Sequence, residues 1–131
     1  MTGSTAALHE RQPAHARSIG FLRHAVVEFA GSSGASADRL ATIALAVSEA
    51  LSNAVLHAYV GDDEPGCVVV DAHVHGGSLE VVVRDEGHGM LPRTDSPGLG
   101  LGLPLIARLA ERLVISDATP GTSVQMRFAI A

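Results

Sequence analysis

The sequence contains no lysine and no tryptophan. All nine basic residues are arginine, which excludes a Walker-type phosphate lysine, the strand lysine of a protein kinase and a Schiff-base nucleophile. Aromatic side chains are limited to three Phe and one Tyr, too few for a surface that stacks nucleobases. Cysteine occurs once, at Cys67, so there is no internal disulfide and no cysteine-rich zinc site, as suits a reducing compartment. Nine basic residues against fourteen acidic ones give a formal charge of −5, and no cluster of basic residues stands out along the chain. That balance argues against binding to a phosphate backbone or to an anionic membrane. Residues 1–12 hold no export signal, and no apolar run reads as long enough to cross a bilayer. The expected location is therefore the cytoplasm.

What the chain does have is enough apolar material for one core: 131 residues, 47% hydrophobic and 18% charged. Residues 1–12 read as a short strand or an ordered tail, and 13–131 as a single domain. Ile19, Leu22, Val26 and Phe29 follow helical spacing until Gly31–Gly34 stops it. Ser36 has the chemistry of an N-cap with Asp38 in the first turn, opening a second helix to about Ala58. Its apolar stripe is Leu40, Ile43, Ala44, Val47, Leu51, Ala54 and Val55. Val68, Val70, Ala72 and Val74 then alternate with polar neighbours, and Gly76-Gly77 turns the chain into a second strand carrying Leu79, Val81 and Val83. A third helix holds Leu105, Ile106, Leu109 and Leu113, with Pro104 expected in its first turn. A last hairpin ends in the alternation Val124, Met126, Phe128, Ile130. The pattern predicts an α+β two-layer sandwich, a mostly antiparallel sheet covered by three main helices.

Four places could carry chemistry. Glu49, Asn53 and His57 lie at i, i+4 and i+8 on the second helix, hence along one side of it. A solvated face explains such a row. So does the wall of a partly dry cleft, because Leu45, Leu56, Ala46 and Ala50 surround it; there a carboxylate can act as base and an amide oxygen can hold Mg²⁺. Asp85 is in phase with Leu79, Val81 and Val83, so it points toward the core and needs a hydrogen-bond donor. A self-capped Asp-Gly turn and the exocyclic amine of a purine both satisfy it. Gly98-Leu-Gly-Leu-Gly102 precedes a helix, where free amides bind phosphate without lysine, although glycines also simply end loops. Thr122 is in phase with Val124 and also faces inward. Asp71, His73 and His75 share a strand face as metal ligands can, and an exposed outer sheet face explains them equally.

Together, Glu49-Ala-Leu-Ser-Asn53-Ala-Val-Leu-His57-Ala-Tyr59, Asp85-x-Gly87-x-Gly89, Gly98-Leu-Gly-Leu-Gly-Leu103 and Gly121-Thr122 resemble, in this order, the N, G1 and G2 boxes and trailing Gly-Thr of GHKL ATPases. The similarity is greatest to the anti-sigma-factor serine kinase branch and runs from about Arg23 to the C-terminus. It implies the Bergerat fold, a mixed sheet layered with helices that clamp ATP and Mg²⁺. It implies Glu49 as general base, Asn53 as Mg²⁺ ligand and Asp85 as reader of the adenine amine, with Gly87, Gly89 and Thr122 close to the base. Gly98, Gly100, Leu101 and Gly102 would meet the phosphates; His57 and Tyr59 also fit the pattern. Kinases of this branch phosphorylate a serine of an antagonist protein and alternately sequester a sigma factor, usually as homodimers. The segment between Gly89 and Gly98 has eight residues, fewer than is usual for the lid of these kinases, and Arg93 is its only cation. Arg93 is accordingly expected to touch the phosphates. The short lid also suits a non-catalytic module in which ATP shapes a binding surface. A third possibility, the catalytic domain of a split sensor histidine kinase, would need a phosphoacceptor histidine from another chain.

Overall fold

A computed structural model describes residues 7–59, 66–85, 99–117 and 121–130; among these, side chains are described except at 57–59, 99–103 and 117. The elements run β1 (Ala7–Pro13), α1 (Ala16–Ser32), α2 (Ala37–Tyr59), β2 (Cys67–His75), β3 (Ser78–Asp85), α3 (Leu99–Leu109), β4 (Arg112–Asp117) and β5 (Thr122–Ala129). The five strands form one sheet in the order β1-β2-β3-β5-β4, antiparallel at every pairing. Helices lie on one side of it, so the α+β two-layer sandwich is as expected. The N-terminal segment left open as strand or tail contributes strand β1, laddered against β2 from Ala7↔His73 to Pro13↔Cys67.

Local signals account for most boundaries. Helix α1 ends at C-cap Ser33, followed by Gly34 at φ 103°. The Gly34 N–H donates to the Gly31 carbonyl at 3.1 Å and the Ala35 N–H to that of Ala30 at 3.0 Å. These two bonds are the Schellman pattern, and they need a residue that tolerates positive φ. Ser36 caps α2: its Oγ accepts from the Arg39 N–H at 3.3 Å. Gly76 and Gly77, at φ 59° and 82°, make the two-residue turn whose twist suits a β-hairpin.

The core lies between the layers. Val68, Val70 and Ala72 of β2, Leu79, Val81 and Val83 of β3, and Val124, Met126 and Phe128 of β5 meet Leu22, Val26, Ile43, Val47, Leu51 and Ile106 from the helices. Ala46 and Ala50, expected only beside the α2 stripe, are buried as completely as the stripe itself. The reason is that α2 is flanked by α1 and α3 while also resting on β2, β3 and β5.

Besides Leu113, expected in the third helix but found in β4 because α3 ends at Leu109, two expectations need correction. Helix α3 begins at Leu99, so Gly100 and Gly102 lie within its first turns and Pro104 sits inside the helix rather than in its first turn. Packing of α3 on α2, anchored by fully buried Ile106, outweighs the poor helix propensity of glycine there. Second, the segment Ala37–Leu56, with a mean hydropathy of 1.3, is long and apolar enough by composition to cross a membrane. The fold uses it as its central core helix, with Glu49 and Asn53 on its length.

Candidate functional site

Helix α2 positions two polar side chains one turn apart. Glu49 is half-buried, whereas Asn53 is 6% exposed. Leu45 and Leu56, beside them on the helix, remain about half exposed at 45% and 52%. The polar row thus descends from a partly wet rim at Glu49 into a dry position at Asn53. Among the described residues, the Asn53 Nδ2 is the buried side-chain nitrogen or oxygen atom without a hydrogen-bond partner. Such a group ordinarily destabilises a fold by about 1–3 kcal/mol unless something meets it. Turned over, the same amide presents its oxygen there, the donor that a hard cation takes.

The second pair comes from the strands beneath. Asp85 and Thr122 are 3% and 1% exposed, as their phase along β3 and β5 predicts. The register makes them direct cross-strand partners. Gly121, at φ 103°, precedes Thr122 so closely to this pair that an added Cβ would lie 1.9 Å from the Asp85 carbonyl oxygen and 3.3 Å from its Oδ1. Backbone and carboxylate are therefore packed against a residue that has room for hydrogen only. The Gly121-Thr122 pair stands out in the sequence through the family resemblance, whereas the close approach of Gly121 to Asp85 is visible only in the structure. Helix α2 packs on both β3 and β5, the strands that carry Asp85 and Thr122.

Of the other anticipated residues, Gly100, Leu101 and Gly102 fall in the first turns of α3, and His57 and Tyr59 in the last turn of α2. Gly87, Gly89, Arg93 and Gly98 lie outside the described residues.

The donor set fits a nucleotide accompanied by Mg²⁺. It consists of oxygen and amide groups from Glu49, Asn53, Asp85 and Thr122, without thiolate or paired imidazoles. Among the described residues no three His, Cys, Asp or Glu side chains converge as a metal centre. Mg²⁺ does not need one, since it keeps waters and substrate phosphates and takes one or two protein ligands. The strand-face trio considered for a metal disperses into ion pairs. Asp71 meets His9 Nδ1 at 2.5 Å and Arg84 at 3.5 Å, while His73 faces Glu80 at 4.0 Å.

A family model described as the histidine kinase-like ATPase domain matches residues 12–128. The anti-sigma F factor of Geobacillus thermodenitrificans is 29% identical over 136 aligned positions, spanning 95% of this chain and 92% of that protein. The serine-protein kinase RsbW of Bacillus licheniformis is 39% identical over 77 residues, 59% of this chain and 48% of its own length. A crystal structure of the RsbU and RsbW domains of a Mycobacterium tuberculosis protein superposes with a TM-score of 0.76 at 27% identity, covering 96% of this chain and 33% of that one.

Proposed function

The chain belongs to the histidine kinase-like ATPase domain family, and on that premise we propose that it is an ATP-binding anti-sigma-type regulator that phosphorylates a serine of an antagonist protein. The observation that carries this reading is buried Asn53, whose Nδ2 has no hydrogen-bond partner, one helical turn beyond half-buried Glu49. An acid of the wrong kind, or an amide already satisfied, would leave neither a base nor a ligand at that place. Asn53 would hold Mg²⁺, which when bound draws charge from the phosphate oxygens. Asp85 and Thr122 would bind the adenine end, and the backbone of Gly98, Gly100, Leu101 and Gly102 the phosphates, joined by Arg93. The glycine backbone and the N-terminus of α3 supply the positive end that lysine supplies elsewhere. Glu49 would accept the proton of the attacking serine hydroxyl as its oxygen bonds the γ-phosphorus. The bond to the β-phosphate oxygen then breaks and ADP leaves.

The similarity of full-length relatives named anti-sigma F factor supports the regulatory part, and the relative named serine-protein kinase supports the transfer. We place the protein in the cytoplasm as a homodimer that alternates between the antagonist and a sigma factor. The test is incubation with Mg-ATP and a cognate antagonist. Phosphoserine is expected, and Glu49→Gln should lower its formation about 100-fold or more while ATP affinity stays within a few-fold. Tight ATP binding with no phosphoserine from the native protein would overturn the kinase assignment. It would favour the non-catalytic module that the eight-residue segment between Gly89 and Gly98 also suits.

A further inference from the structure

Among the described residues the large apolar side chains left exposed are Phe21, Leu45, Leu56 and Ile115. Two of them, Leu45 and Leu56, stand on α2 and bracket Glu49. Residues four, seven and eleven positions apart return to the same side of a helix. Leu45, Glu49, Ser52 and Leu56 therefore form one seam along α2, with Glu49 half-buried and Ser52 exposed. At about 1.5 Å of rise per residue, Glu49 stands roughly 6 Å along the axis from Leu45 and roughly 10 Å from Leu56.

A single exposed leucine needs no explanation. This pair does, because of what lies between its members. On its other sides α2 packs against α1, α3 and the sheet, and Asn53 occupies the buried flank of Glu49. The seam is thus the open side of the Glu49 carboxylate. If Glu49 accepts a proton from the attacking serine, as proposed above, that hydroxyl must come within hydrogen-bond reach of it from this side. The chain on either side of the serine then lies over Leu45 and Leu56. Ser52, small and exposed, leaves a low place between them for that chain to approach.

We propose that Leu45 and Leu56 determine specificity for the phosphoacceptor, seating aliphatic side chains on either side of its serine; this rests on the kinase reading above. In an extended segment those positions fall about two residues to one side of the serine and about three to the other. Complementarity selects this occupant: the hydroxyl donates to Glu49 while aliphatic groups cover the leucines. The ionisable side chains of the seam, Glu49 and Asp38 one heptad before Leu45, are both acidic. A phosphate backbone or an anionic lipid surface is therefore repelled. A second copy of the chain seated here would shut Glu49 away from any acceptor, and the test includes that outcome.

The full-length protein, with Mg²⁺ and a non-hydrolysable ATP analogue, can be titrated against two fluorescent peptides with anisotropy as readout. One carries a single serine with leucines two and three residues to either side, and the other has alanines in their place. The leucine peptide is expected to bind about tenfold more tightly, and Leu45→Ala/Leu56→Ala should remove that preference. Phe21→Ala, which removes an equally exposed apolar side chain on α1, should change either affinity less than about twofold. With ATP and phosphoserine as readout, the double variant should raise the KM for the leucine peptide about tenfold and leave kcat within about twofold. That split separates a seat for the acceptor from a residue that supports the base. The proposal is overturned if the leucine peptide does not bind, if the two peptides bind equally, or if Phe21→Ala causes an equal loss. A matching fall in ATP affinity would overturn it too, by placing the leucines in the nucleotide site, as would self-association in sedimentation that the double variant abolishes. Phosphoserine formed on the cognate antagonist with the same KM by native protein and double variant overturns this inference and leaves the kinase reading standing. Bound nucleotide with no phosphoserine from the native protein overturns that reading and this inference with it.

Discussion

At the scale of single residues, Asn53 and Gly121 make opposite demands. The Asn53 Nδ2 is buried without a partner, so replacing the side chain with an apolar one of similar size removes an unmet polar atom. Asn53→Leu should therefore melt no lower than the native protein when nucleotide is absent. Mg-ATP at 100 times its dissociation constant should stabilise the native protein by about 2.7 kcal/mol and leave the variant unshifted. A variant that retained the nucleotide-dependent shift in a thermal melt would take Asn53 out of the site. Gly121 cannot be changed without strain, because its φ of 103° and the 1.9 Å approach of a Cβ to the Asp85 carbonyl act together. Gly121→Ala is expected to destabilise by about 2–4 kcal/mol, read as a fall in Tm of roughly 5–10 °C. The inward direction of Asp85 and Thr122 was legible from alternation alone, since each shares its strand's apolar phase. Their adjacency was not, because it depends on a register between strands separated by a helix and a further strand.

At the scale of elements, the caps and turns were readable and the start of α3 was not. Ser36 meets the Arg39 amide, and Gly34 and Gly76-Gly77 occupy the positive-φ positions where glycine is expected. Each is decided within four or five residues of chain. Ser36→Ala should lower stability by about 1 kcal/mol, or a Tm loss of roughly 3 °C by calorimetry, with ATP affinity unchanged. An equal fall in nucleotide affinity would mean that the cap also holds the site. Helix α3 defeats local reading because Gly100, Gly102 and Pro104 all disfavour helix, yet the element runs from Leu99. Burial of Ile106 against α2 supplies what propensity does not. The same distinction explains Ala46 and Ala50, whose burial follows from the helices on either side of α2.

At the scale of the whole molecule, the outer sheet face links β2, β3 and β5 through Glu80. Its carboxylate accepts from Gln125 Nε2 at 2.5 Å and faces Arg127 and His73. The Gln125 hydrogen bond is the largest influence; burial, the next, opposes it, and Arg127 and His73 add to it, so the pKa is held below the ordinary 4.5. A carboxyl group with a depressed native pKa contributes stability that is present above its unfolded value and is lost as pH falls through the native one. Stability should accordingly hold from neutrality down to about pH 4.5 and then decline, and Glu80→Gln should flatten that acid limb. Denaturant midpoints measured across the acid range check this; identical slopes in variant and native protein would assign the decline to other groups.

The sequence by itself determined most of the helical and extended segments, though not strand β1 or the limits of α3, as well as which face of most elements is apolar, where the caps fall, and that Asp85 and Thr122 point inward. Periodicity and turn chemistry carry that information over a few residues. Only the tertiary structure decided that Gly121 presses on Asp85, that an apolar run long enough for a membrane serves as a core helix, and that the Asn53 Nδ2 is buried without a partner. It also decided the fate of the scarce positive charge. No basic cluster is visible along a chain of −5, yet Arg11, Arg84, Arg112 and Arg127 come from four different strands and meet on one face. Strand pairing joins residues more than 100 positions apart, and an electric field sums over distance in space, not along the chain.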